Sequence, residues 1–131
     1  MTARSLFINA PVHRTVAAGE VIYSEGDVDE HMFGIVEGGV ELRKGDVAVA
    51  VLGPEDVFGE RALVDRLPRN LTAVATAETV LAEIDRGLFL FLVDQSPTFA
   101  LEIMGALASR LRDYDDWVAG RPNRRGDGPA D

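Results

Sequence analysis

Cysteine is absent from the 131 residues. That excludes disulfides, thiolate nucleophiles and cysteine-held zinc, and a cytoplasmic setting is the simplest expectation. Histidine is nearly as scarce, with only His13 and His31. Metal enzymes on β scaffolds need several histidine and carboxylate ligands on facing strands, and neither histidine sits in such a cluster. Positive charge is also in short supply: 13 Lys and Arg stand against 22 Asp and Glu, for a net charge of −9. An acidic surface repels phosphate backbones, so direct DNA binding is not expected. No apolar run approaches the roughly 20 residues of a membrane span, so no membrane partner is expected. The opening MTARSLFINAPVHR lacks the apolar core of a secretory signal. No serine lies in a G-x-S-x-G context, and no glycine loop ends in the lysine of a nucleotide-hydrolysing P-loop. The acidic turn at Asp27, Asp29 and Glu30 places Met32 where a calcium loop needs its glycine. It reads as a solvated turn. No enzyme, cofactor or metal is expected.

What is present is a chain long enough for one domain with a real core. Short pieces rich in Val, Ile, Leu and Ala predict strands at His13–Val16, Val21–Tyr23, Met32–Val36, Val40–Lys44, Val47–Leu52, Leu71–Thr76 and Val80–Ile84. Glycine-bearing turns separate most of them. Close spacing of this kind predicts a β-sandwich or jelly-roll barrel. The last third changes period. Asp85 is placed to cap a short helix over Gly87–Asp94, and Ser96-Pro97 reads as the start of a longer one. Beyond it Phe99, Ile103, Ala106, Leu107, Leu111, Tyr114 and Val118 recur at helical spacing. Gly120 and Pro122 end that helix. The predicted organisation is one domain over residues 1–119 and a flexible polar tail over 120–131.

The stretch FGERALVDRLPRNLTAVA, residues 58–75, departs from the acidic balance, with three arginines against two carboxylates. A short helix is predicted near Glu60–Val64. Its first N–H groups lack internal partners and favour an anion, and Gly59 permits close approach. In the next strand, Leu71, Ala73 and Ala75 form the inward set, and Arg69 shares their parity. A buried guanidinium needs an anion, and its planar fork suits a phosphate. Glu60 is a nearby acceptor suited to hydroxyl groups. The plain alternative is that Arg69 pairs with Glu60 or another carboxylate and binds nothing else.

The same stretch resembles the phosphate-binding cassette of the cyclic nucleotide-binding domains, whose members include the bacterial cyclic AMP receptor protein and the regulatory subunits of cyclic-AMP-dependent protein kinase. The family pattern is F-G-E, a hydrophobic residue, A-L, a variable loop, then P-R and small residues. Upstream, AAGEVIYSEGDVDEHMFGIVEGGVEL resembles the family's G-x-x-I-x-x-E-G-D run and its M-(Y/F)-x-I-x-x-G-x-V run. The resemblance implies a mainly β fold with helices: a β-jelly-roll barrel (double-stranded β-helix), a short cassette helix and C-terminal helices. It implies backbone amides of Gly59, Arg61 and Ala62 on an exocyclic phosphate, Glu60 on a ribose 2′-hydroxyl and Arg69 on the phosphate. Asn70 stands where Ala, Ser or Thr is usual, Leu71 where Ala is usual, and Arg61 where an aliphatic residue is usual. Asn70 can still donate to a phosphate oxygen or base edge. Leu71, Arg110 and Tyr114 are candidate base contacts, with Trp117 a turn further on, although packing on the barrel or on a partner helix is the commoner use of such positions.

The resulting expectation is a cytoplasmic sensor of a cyclic nucleotide, cyclic AMP first and cyclic GMP second, that signals by moving its C-terminal helices. Some family members carry a helix-turn-helix after the long helix; here only the polar tail comes after Gly120, so a separate protein effector is expected. A homodimer through the C-terminal helix is a further expectation. The alternative is a scaffold module of the same fold that binds no ligand and acts through that helix.

Overall fold

A computed structural model describes residues 3–120, except the side chain of Trp117. The tail expected over 120–131 therefore lies outside the described residues beyond Gly120. The elements run α1 (Ala3–Ile8), β1 (His13–Val16), β2 (Val21–Tyr23), β3 (His31–Glu37), β4 (Val40–Lys44), β5 (Val47–Leu52), β6 (Val57–Phe58), α2 (Arg61–Val64), β7 (Thr72–Ala75), β8 (Thr79–Asp85), α3 (Arg86–Gln95) and α4 (Thr98–Val118).

The strands form two four-stranded sheets, ordered β1-β8-β3-β6 and β2-β7-β4-β5, and the paired strands run antiparallel. This is the strand order of a jelly roll. The expected barrel is corrected here: the sheets face each other as an open sandwich and do not close. Alternation along a strand shows which face is apolar, and it is silent on whether sheet edges meet.

The second sheet alternates as a half-solvated sheet should. In β7, Ala73 and Ala75 are buried while Thr72 and Val74 are partly exposed. In the first sheet β3 and β8 are buried on both faces. Phe33, Ile35 and Leu81 fill the space between the sheets with Val40, Leu42 and Phe58. Met32, Ala82 and Ile84 face outward onto a second apolar layer built from Leu6, Phe7, Leu92, Phe99 and Ile103. Helices cover that face, so these strands cannot show a clean period of two. Phe7 lies so close to β3 that a Cβ on Gly34 would fall 2.6 Å from its ring. Phe7 also meets Phe99 edge to face, with centroids 6.1 Å apart.

Asp85 caps α3 as expected, its carboxylate accepting from Leu88 N–H at 2.8 Å. Helix α4 begins at Thr98, and the Ser96 hydroxyl lies 3.5 Å from that of Thr98. Gly120, at φ +73°, lies just past α4 in the left-handed conformation that ends helices. The single apolar face expected along α4 is corrected too. Phe99 and Ile103 are buried, while Leu111, Tyr114 and Val118 are exposed. The helix therefore packs on the sandwich by its first half and extends across the mouth of a cavity with its second.

Candidate functional site

Three elements meet around one cavity of about 510 Å³. The second sheet supplies Tyr23, Leu42, Lys44, Val49 and Ala50, with Asn70 and Leu71 leading into β7. The turn into α2 supplies Gly59, Glu60 and Arg61. Helix α4 supplies Leu107, Arg110, Leu111 and Tyr114. The residues expected to contact ligand thus line one space, with the exception of Ala62, which lines a separate polar groove behind α2. Trp117's side chain lies outside the described residues.

Arg69 is buried, as its shared parity with Ala73 and Ala75 requires. Its Nη1 donates to Gly59 O at 2.7 Å. Its Nη2 donates to His31 O at 2.6 Å and to Asp29 Oδ2 at 3.1 Å. The guanidinium carbon lies over the Tyr23 ring, 4.1 Å from its centroid. Three of the five guanidinium donors are thereby engaged. Nε–H is not: it is buried and has no acceptor among the described residues. Arg69 thus has a carboxylate partner, and the partner is Asp29 rather than Glu60. The acidic turn read as solvated is corrected on this point. Asp29 comes from a loop forty residues away.

Glu60 turns to α4 instead. Its Oε1 lies 3.8 Å from Arg110 Nη1, near enough to attract and too far to hydrogen-bond. Arg110 also donates through Nη2 to Val57 O. Glu60 Oε1 and Arg110 Nε, both buried, have no hydrogen-bond partner among the described residues. Buried polar atoms without partners are uncommon, and here three of them, from the turn before α2, the loop before β7 and helix α4, belong to residues that line one cavity.

Gly59 adopts φ +75°, and a Cβ there would come within 2.9 Å of Arg69 Nη1. A glycine is required twice over, for the turn and for the approach of the guanidinium. At the front of α2 the N–H groups of Glu60 and Arg61 make no backbone hydrogen bond among the described residues, whereas Ala62 N–H already donates to Gly59 O at 3.2 Å. The Arg61 guanidinium turns along the helix to Asp65 at 3.7 Å.

Burial pushes the Tyr23 phenol up to about 12; Arg69 opposes this and Glu60 adds to it. At Asp29 partial burial pushes the carboxyl up, but the hydrogen bonds from His31, Glu30 N–H and Arg69 outweigh it and hold the group below the ordinary carboxylate range.

Sequence reasoning missed Tyr23, Asp29 and Lys44. Tyr23 escapes because the β2–β7 register shifts between Val21 and Tyr23, so Ile22 and Tyr23 are buried side by side. A period-two reading cannot find such a residue. Lys44 ends β4 exposed, its amine 3.4 Å from Asn70 O. The cavity therefore has one end rich in arginine, an acceptor at Glu60, and an apolar wall of Leu42, Val49 and Leu71. That combination suits a small anion joined to a hydroxylated ring and a flat apolar group.

The profile described as "Cyclic nucleotide-binding domain" matches residues 13–96. The cyclic AMP receptor protein of Thermus thermophilus is 32% identical over 107 residues, covering 78% of this chain and 50% of that protein. A cAMP-dependent protein kinase regulatory subunit of Eremothecium gossypii is 31% identical over 120 residues, covering 92% of this chain and 24% of that one. The chain spans half the length or less of these relatives. Among solved structures, the catabolite activator protein of Thermus thermophilus superposes with TM-score 0.69 at 30% identity, covering 89% of this chain and 55% of the other. A structure described as "A cyclic-GMP-dependent signalling pathway regulates bacterial phytopathogenesis" superposes with TM-score 0.65 at 30% identity, covering 92% and 96%. Gly59, Glu60 and Arg69, which line the cavity, lie within the matched region, and this chain belongs to the cyclic nucleotide-binding domain family.

Proposed function

We propose that this chain is a non-catalytic, cytoplasmic sensor that binds a cyclic nucleotide, cyclic AMP in preference to cyclic GMP, in the cavity between the second sheet, α2 and α4. The observation that carries the reading is the buried, unpartnered Arg69 Nε–H, beside an arginine already oriented by Gly59, His31, Asp29 and Tyr23. An exocyclic phosphate oxygen satisfies that donor. The phosphate also meets the free amides of Glu60 and Arg61. Glu60 Oε1 accepts from the ribose 2′-hydroxyl. The base lies along Leu71 and Asn70 under Arg110 and Tyr114.

Two bonds support an output through the C-terminal helices. Arg86 at the start of α3 donates to Leu63 O on the cassette helix at 2.9 Å. Arg110 of α4 donates to Val57 O, just before the cassette turn. An inward shift of Gly59–Val64 on the phosphate therefore pulls on α3 and α4 together, and ligand binding favours one helix arrangement over another. A partner protein or a second copy of the chain reads that arrangement.

The test is thermal unfolding with cyclic AMP and cyclic GMP, on the wild type and on Arg69→Ala. Ligand at one hundred times Kd stabilises the wild type by about 2.7 kcal/mol. Arg69→Ala is expected to fold and to lose that shift. No shift for the wild type with either ligand at millimolar concentration would sink the sensor reading. Unfolding of Arg69→Ala would instead make the Asp29 pair the arginine's main purpose and favour a scaffold module without ligand.

A further inference from the structure

Tyr23 does more at this site than packing requires. It is 8% exposed and lines the cavity. Its ring stacks with Phe33 at 6.2 Å and lies 6.0 Å from Phe58. The Arg69 guanidinium rests 4.1 Å from its centroid. The acceptors of Gly59, His31 and Asp29 hold that guanidinium through its Nη groups, and the Tyr23 ring lies under its central carbon. A phenylalanine would supply the same stacking and much of the same attraction for the cation. The hydroxyl is surplus to both. Among the described residues it makes no hydrogen bond, and it is not one of the buried polar atoms, so it opens on the cavity where a bound molecule can reach it. The charges that act on it most are Arg69 and then Glu60, with Arg110 and Asp29 behind them. It faces the same cavity as the proposed holder of the phosphate and the proposed holder of the ribose. Burial keeps it protonated throughout the physiological range, so it is always able to donate.

We infer that Tyr23 is a further ligand-binding residue, its ring seating Arg69 and its hydroxyl donating to an oxygen of the sugar-phosphate of the bound nucleotide. The inference rests on the sensor reading above and adds a contact that touches no part of the base. It makes the floor of the site a tyrosine by requirement, where aromatic packing alone would accept phenylalanine.

The experiment is isothermal titration of cyclic AMP and cyclic GMP into the wild type, Tyr23→Phe and Tyr23→Leu, with urea unfolding of each ligand-free protein. Tyr23→Phe is expected to bind about fivefold more weakly, as for loss of one hydrogen bond. The factor should be the same for both nucleotides. Its ligand-free urea midpoint should match that of the wild type, because the hydroxyl bonds no part of the ligand-free protein. Tyr23→Leu, which also removes the seat of the guanidinium, is expected to bind about tenfold more weakly again. Tyr23→Phe binding within twofold of the wild type, or a loss confined to one base, overturns the inference. A merely structural tyrosine would lower the urea midpoint and leave affinity unmoved. If Tyr23→Leu does not fold, the Tyr23→Phe comparison decides alone. A wild type that binds neither nucleotide removes the sensor reading and this inference with it. A wild type that binds no better than Tyr23→Phe leaves the sensor reading standing and removes only the inference.

Discussion

Three hydrogen bonds converge on the carboxylate of Asp29. Glu30 N–H reaches Oδ1 at 2.7 Å, His31 Nδ1 lies 3.1 Å from the same oxygen, and Arg69 Nη2 reaches Oδ2 at 3.1 Å. Partial burial raises the carboxyl's pKa, the hydrogen bonds and the Arg69 charge lower it, and the lowering wins. A carboxyl whose folded value is depressed stabilises the fold above its unfolded value, near 4. That contribution is lost as pH falls through the lower folded value. Asp29→Asn removes the titration while keeping an acceptor for Arg69. The wild type should therefore exceed the variant in urea midpoint at pH 6, and the gap should close as pH falls below about 4. Paired urea titrations across that range check it, and a gap that does not change with pH would show that the charge of Asp29 contributes nothing to the fold. Nothing local in D-V-D-E-H announces this role. The partner arrives from a loop beyond β6, and only the fold brings the two together.

Helix α4 presents two faces with different duties. Phe99 and Ile103 are buried in the outer apolar layer, where Phe99 meets both Phe7 and Phe89. Away from that layer Leu101, Met104, Ala108, Leu111 and Val118 are exposed, with Leu111 also at the edge of the cavity. Their spacing of three and four repeats as in a coiled-coil seam, interrupted by Asp115. The expected homodimer would use this outer stripe, since the inner one is already occupied. Substitutions on the two faces should then separate. Phe99→Ala should cost about 3–5 kcal/mol of stability through the cavity it leaves. Leu101→Glu combined with Met104→Glu should leave the monomer's stability almost unchanged and convert a dimer to a monomer in sedimentation. A wild type that sediments as a monomer at every accessible concentration would remove the dimer. The helical period of α4 was legible in the sequence, but the division of its apolar residues between core, cavity and surface was not. Seven residues at helical spacing describe a stripe, and the stripe is wider than the contact the sandwich offers.

For the whole molecule, the clearest sequence signals were those with a strong local cause. β4 and β5 alternate as a half-buried hairpin, and Gly45-Asp46 turns it. The two-residue β6 and the six-residue α1 are too short to show a period, and α1 has no acidic residue in its first turn to signal a start. The burial of Arg69 in the cavity wall was legible because an arginine in register with alanines conflicts with local rules, and such conflicts concentrate at functional sites. Closure of the sheets was not legible, because it depends on edges that are distant in sequence. The two apolar layers raise a question of cooperativity that the same topology answers. The layer between the sheets and the layer under the helices share β3 and β8: Phe33, Ile35 and Leu81 belong to the first, and Met32, Ala82 and Ile84 to the second. Neighbouring residues of one strand cannot leave one layer and remain in the other. Loss of the helices would expose the outer face of the strands that carry the inner core, so the layers should melt together. Differential scanning calorimetry should then give one transition whose calorimetric and van't Hoff enthalpies agree. At about 0.7 kcal/mol per ordered residue, the enthalpy should be roughly 80 kcal/mol near 60 °C. A calorimetric enthalpy well above the van't Hoff value would mean that α3 and α4 unfold as a separate unit. In that case a cassette tied to them by Arg86 and Arg110 would be pulling on a part of the molecule that can detach without it.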